Sequence, residues 1–188
     1  MEYKLSKYPL FSACGLNCGL CPRYHTDGKS RCPGCAGKGF STVHPSCGVL
    51  SCCQRKGFEY CFSCEEYPCK KYDGVVLSDS FITHKNQLYD LDKAKRIGMD
   101  VYEIELNEKV RALEELLKNY DDGRRKNLYC VAVNLLDLPD VKAIMEQLNG
   151  EVEPEMSVKS KATAAVRLFE GMAEKRAVSL RLRKKSKP

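Results

Sequence analysis

The chemistry of this chain is concentrated in its cysteines. Of twelve in 188 residues, eleven lie between Cys14 and Cys69, and the other is Cys130. Cys18 and Cys21, Cys32 and Cys35, and Cys61 and Cys64 form three C-x2-C pairs, with Cys14, Cys47, Cys52, Cys53 and Cys69 distributed around them. Two intervening residues, with Gly or Pro in or beside the pair, let a tight turn aim both sulfurs at one ion, and zinc takes four thiolates tetrahedrally at about 2.3 Å. Three such pairs, in a segment rich in Gly and Pro with little apolar periodicity, predict a fold in which metal replaces a large hydrophobic core. The donor count suits two zinc ions with thiols to spare.

Other uses of the thiols are weighed against that one. The N-terminus lacks the apolar core of a signal peptide and no segment approaches the length of a membrane span, so a cytoplasmic location is expected, where clustered thiols hold metal more often than they form disulfides. Cys14, Cys18 and Cys21 form C-x3-C-x2-C, the spacing with which radical enzymes hold an iron–sulfur cubane, so an iron–sulfur cluster is the alternative cofactor. Thiol redox chemistry, for example at Cys32 of the CPGC pair, belongs to the same alternative. A catalytic zinc is disfavoured: the chain has three histidines and no H-E-x-x-H, and all-thiolate sites are closed to activating water. His25 and His44 are read as loop histidines. Of the adjacent pair Cys52 and Cys53, one is expected to be a ligand and the other a small buried hydrophobe.

ACGLNCGLCP at 13–22, CPGC at 32–35, CGVLSC at 47–52 and CFSCEEYPC at 61–69 resemble a bacterial and archaeal cysteine-rich family of unknown function, whose members open with CGLxCxxCP and close with CxxCxxxPC. The resemblance implies metal ligation by Cys14, Cys18, Cys21, Cys32, Cys35, Cys47, Cys52, Cys61, Cys64 and Cys69. It brings no activity, and no nucleophile triad, phosphate loop or carboxylate pair is recognisable, so no reaction is assigned and a non-enzymatic role is favoured over an enzymatic one.

The elements that must carry this segment are helical. Leu106, Val110, Leu113, Leu117 and Tyr120 mark one helical stripe, ended by Asp121-Asp122-Gly123. Leu128, Val131, Ala132, Leu135 and Leu136 mark a second, which contains Cys130 as a core thiol. A third helix is expected after Asp137, with Pro139 in its first turn, stopping at Asn149-Gly150. A fourth runs from Val158, with Ala162, Ala165, Val166, Phe169, Met172 and Ala173 on one face, and an earlier one spans Asn86 to Arg96. The expected fold is mainly α: an irregular, zinc-knuckle-like domain over 1–72, a helical bundle over 73–180 and a basic tail over 181–188.

Charge divides the chain in the same way. Residues 1–72 carry +5, 73–155 carry −7 and 156–188 carry +8, within a formal net charge of +6. Two tetrathiolate zinc sites would lower the total to about +2. Arg124, Arg125 and Lys126 open the second helix, where the macrodipole disfavours cations. Either they bind an anion or they pair with Asp121, Asp122 and neighbouring acidic faces. Arg55, Lys56, Lys70 and Lys71, interleaved with Phe58, Tyr60, Phe62 and Tyr67, admit nucleic-acid binding, although the aromatics are more economically read as core. The tail, with Arg181, Arg183, Lys184, Lys185 and Lys187, is read as a solvated terminus rather than a binding arm. A binding or regulatory module with a protein partner is the favoured function.

Overall fold

The computed structural model describes residues 4–75 and 77–184. Among them are seven α-helices and no strand. Two short helices, α1 (Phe40–Val43) and α2 (Gly48–Arg55), sit among loops of the cysteine-rich segment. They are followed by α3 (Gln87–Ile97), α4 (Met99–Asn119), α5 (Lys126–Leu135), α6 (Leu138–Glu151) and α7 (Val158–Lys175). The mainly helical expectation holds.

Two compact units are present, one formed by Met1–Leu106 with Arg183–Pro188 and the other by Asn107–Leu182. Composition changes near residue 72, whereas compactness changes at Leu106. The reason lies in the core of the first unit. Phe11, Leu20, Leu50, Tyr60 and Tyr72 from the cysteine-rich segment are buried together with Leu91 and Ala94 of α3 and Tyr102 of α4. The Phe11 ring lies 4.6 Å from that of Tyr102 and 5.6 Å from that of Tyr60. An apolar core therefore exists where the composition of 14–69 alone suggests none, because α3 and the start of α4 complete it. Each such side chain removed from water contributes about 1.5–3 kcal/mol.

The second unit is a helical bundle. Val110, Leu113, Leu116 and Tyr120 of α4, Val131 to Val133 of α5, Val141, Ile144 and Leu148 of α6, and Ala162, Ala165 and Phe169 of α7 are buried. α7 packs on both α5 and α6. The expected stripes are largely right, with shifts in three helices: Leu116, Tyr129 and Leu168 are buried, while Leu117, Leu128, Val166 and Met172 are half-buried. At 3.6 residues per turn, positions flanking a stripe compete for its edge, and packing decides between them. Ser157 caps α7, its Oγ accepting from the Ser160 N–H at 3.1 Å. Arg176 grips the buried Asp140 carboxylate with Nε and Nη2, at 2.8 and 2.5 Å. Cys130 is 1% exposed, a core thiol as expected.

The tail departs from the solvated-terminus reading at one residue. Arg183 folds onto Asp79, and the two backbones also pair, the Asp79 N–H donating to the Arg183 carbonyl at 2.9 Å. Lys185 and Lys187 lie outside the described residues. No described helix is long and apolar enough to cross a membrane.

Candidate functional site

Three-residue 3-10 turns open two of the C-x2-C pairs, at Cys18–Leu20 and Cys61–Ser63. In each, the second cysteine donates its N–H to the carbonyl of the first: Cys21 to Cys18 at 3.1 Å and Cys64 to Cys61 at 3.0 Å. In the third pair, Gly34 adopts φ +87°, and a Cβ there would stand 2.2 Å from the Pro9 carbonyl oxygen, so only glycine allows the approach. That approach lets Cys35 donate its N–H to Pro9 at 2.8 Å. The Gly19 N–H reaches Leu10 and the Cys61 N–H reaches Ala13, both at 2.9 Å, so the turns are stitched to the 9–13 segment.

A buried polar network fixes the loop between Cys14 and Cys18. Asn17 is 2% exposed; its Nδ2 donates to Asp90 of α3 at 2.9 Å, and its Oδ1 accepts from the Tyr102 hydroxyl of α4 at 2.8 Å. The Cys14 carbonyl accepts from Gln87 Nε2 at 2.9 Å, and the Tyr72 hydroxyl approaches it at 3.4 Å. Gly15, at φ +93°, passes so close to α3 that a Cβ would lie 2.3 Å from the Gln87 carbonyl oxygen. Sequence reading did not mark Asn17, Gln87, Asp90 or Tyr102. Asn17 within CGLNC was the available signal, and nothing local distinguishes the other three.

All twelve cysteines are thiols rather than disulfides. Ten of them form two neighbouring sets; Cys47 acts on Cys14 and Cys35 of the first, and Cys130 lies in the second unit. In the first, burial raises the Cys18 thiol well above its ordinary value, and charge on Cys35, Cys14, Cys21 or Cys32 would raise it further. Burial likewise lifts Cys14 to about 11, opposed by a hydrogen bond from Ser12, whose Oγ lies 3.1 Å from the Cys14 sulfur. Burial pushes Cys35 to about 12, with smaller contributions from Cys14, Cys47 and Cys32. Isolated buried thiols of this kind resist ionisation unless a cation compensates.

The second group lines a cavity of about 490 Å³: Cys52, Cys53, Cys61, Cys64 and Cys69, with Arg55, Lys56, Lys70 and Lys71 in its walls. Cys53 is buried as expected, but it is not isolated, because its sulfur lies 3.2 Å from that of Cys61. The hydrogen bond shared with Cys53, assisted by one from Tyr72 against the opposing effect of burial, lowers Cys61. The same hydrogen bond, together with burial, raises Cys53. Lys56 donates to Cys64 at 3.5 Å and to Glu66 at 2.8 Å. Among the described residues, no three His, Cys, Asp or Glu side chains converge in the geometry of a metal site.

The remaining candidates are accounted for locally. The His25 ring nitrogen Nε2 lies 2.7 Å from the Gly19 carbonyl oxygen, and His44 stacks on Phe40 at 4.5 Å. Tyr60 is buried and stacks on Phe62 at 5.3 Å, while Tyr67 donates its hydroxyl proton to Asp92 at 3.0 Å. At the start of α5, Asp121 Oδ1 accepts from the Gly123 and Arg125 amides at 3.0 and 2.9 Å, and Asp122 Oδ1 accepts from the Arg124 amide at 3.1 Å. These backbone donors are filled by the chain's own carboxylates, and Arg125 Nε lies 3.5 Å from Asp122 Oδ2.

The fold and these thiols define a cysteine-rich helical protein whose front unit is built around C-x2-C turns. Residues 10–74 match the family described as a protein of unknown function, DUF3795. The family resemblance carried by the four cysteine motifs is thereby shown for that segment, and the match ends ahead of α3. No curated protein and no solved structure matches the chain.

Proposed function

We propose that the front unit is a zinc-binding module, holding two ions in thiolate sites, that serves as a binding or regulatory surface rather than as an enzyme. The observation that carries this reading is the separation of the cysteines into two groups. One is Cys18 with Cys14, Cys21, Cys32 and Cys35, whose charges would all act on it. The other collects Cys52, Cys61, Cys64 and Cys69 around one cavity. A donor set made of thiols, without carboxylate, suits zinc in closed structural sites. Zinc would supply cross-links between loops that have few regular hydrogen bonds of their own.

Elemental analysis of the chain purified without oxygen tests this. About two zinc ions per chain are expected, falling to about one in Cys18→Ser and, separately, in Cys64→Ser. Iron with visible absorbance would replace zinc by an iron–sulfur cluster, and a metal-free, folded chain would defeat the reading.

A further inference from the structure

We propose that Cys53 and Cys61 form a redox-active dithiol that closes to a disulfide by exchange with an anionic low-molecular-weight disulfide. Their sulfurs are 3.2 Å apart and both are thiols. A disulfide bond spans about 2.05 Å, so closure requires about 1 Å of sulfur movement. The backbone holds the pair in place on both sides: the Phe58 N–H donates to the Cys53 carbonyl and the Cys61 N–H to Ala13, both at 2.9 Å. Cys53 sits on α2 and Cys61 opens the 3-10 turn Cys61–Ser63, against which α3 packs. Each element is thus fixed independently of the sulfurs.

Access and charge point to the co-reactant. Both cysteines are nearly buried, at 3% and 8% exposed, yet both line the cavity of about 490 Å³. Its ionisable walls, besides the cysteines and two tyrosines, are Arg55, Lys56, Lys70 and Lys71, with Glu66 as the carboxylate. Four cations against one carboxylate favour a small anionic disulfide over a neutral or cationic one and stabilise an attacking thiolate. In the first step, one protein sulfur attacks the reagent; the reagent's S–S bond breaks and one of its thiols departs with the proton. In the second, the other protein sulfur attacks the mixed disulfide, and the second reagent thiol departs with the other proton. Two protein thiols are oxidised and one reagent disulfide is reduced. Closure would also withdraw Cys61 from the second thiolate group, so oxidation and metal retention there oppose each other.

Oxidised glutathione, equilibrated with the full chain before alkylation and tryptic digestion, tests the pair. Arg55 and Lys56 lie between the two cysteines, so cleavage separates them and only a disulfide keeps their peptides joined. A joined species is expected in the native chain, with fragmentation assigning the bond to Cys53 and Cys61. It should fall at least about ten-fold in Cys53→Ala, a near-isosteric change for a small buried thiol. Failure of the native chain to join, or a bond assigned to Cys47, Cys52, Cys64 or Cys69, would each overturn the proposal. The assignment in the native chain does not depend on how well the Cys53 variant folds. Metal content of the untreated chain reports separately on the zinc reading.

Discussion

Arg183 closes both of its ends on Asp79: its guanidinium Nη2 reaches Oδ1 at 2.6 Å, Nε reaches Oδ2 at 3.2 Å, and its backbone N–H reaches Oδ2 at 2.7 Å. The Asp79 side chain is fully buried and also accepts from the His84 N–H at 2.8 Å. A residue from the basic end of the chain is therefore a structural part of the first unit.

This pairing predicts acid sensitivity of a definite sign. Burial alone would raise Asp79, but the hydrogen bonds from Arg183 and His84 outweigh it and hold the carboxyl at about 2, below its ordinary 3.8. A depressed folded-state value stabilises the fold above the unfolded value, and that contribution is lost as the pH falls through about 2. Asp79→Asn should flatten the pH dependence of unfolding between about pH 4 and 2, measured by circular dichroism. Arg183→Ala removes the guanidinium but leaves the two backbone N–H donors to the buried carboxylate, and should cost about 1.5–3 kcal/mol.

The Asn17 network predicts a second loss. Tyr102→Phe deletes the hydrogen bond to Asn17 Oδ1, at a cost of about 0.5–1.5 kcal/mol. Asn17→Ala deletes both hydrogen bonds and should cost at least as much. Urea denaturation measures both, and Tyr89→Phe, at an exposed position, should be close to neutral.

Glycine substitutions should separate conformational from steric cost. Gly28 has φ +80° in open space, so Gly28→Ala should cost about 1 kcal/mol. Gly15→Ala adds a clash with the Gln87 carbonyl and Leu91 to a similar φ and should cost several times more. Gly48, at the start of α2 with ordinary φ and no neighbour within 4 Å, should gain about 0.4–1 kcal/mol as Gly48→Ala. Thermal melts of the three variants check the order.

The Arg176–Asp140 pair predicts a change confined to the second unit. Arg176→Met removes a two-point hydrogen bond to a buried carboxylate, so the melting temperature should fall by a few degrees. Arg176→Lys should recover only part of that, because an ammonium cannot match both oxygens with a planar fork. Hydrogen exchange should show the loss in α6 and α7.

The sequence by itself determined the helical class, the stripes of α4, α5 and α7, the buried Cys130 and the dense C-x2-C segment. Periodicity and spacing are local properties, repeated every few residues, and can be read without knowing what packs against them. Only the tertiary structure decided that α3 and the start of α4 complete the core of the first unit, that Asn17 is clamped by Asp90 and Tyr102, that Arg183 is held by Asp79, and that Cys53 lies against Cys61 rather than idle beside Cys52. Each of these joins residues whose separation along the chain bears no regular relation to their partnership. Such pairings follow from which surfaces can exclude water together while satisfying every buried polar group, a condition set by the whole packed unit and by no single segment of it.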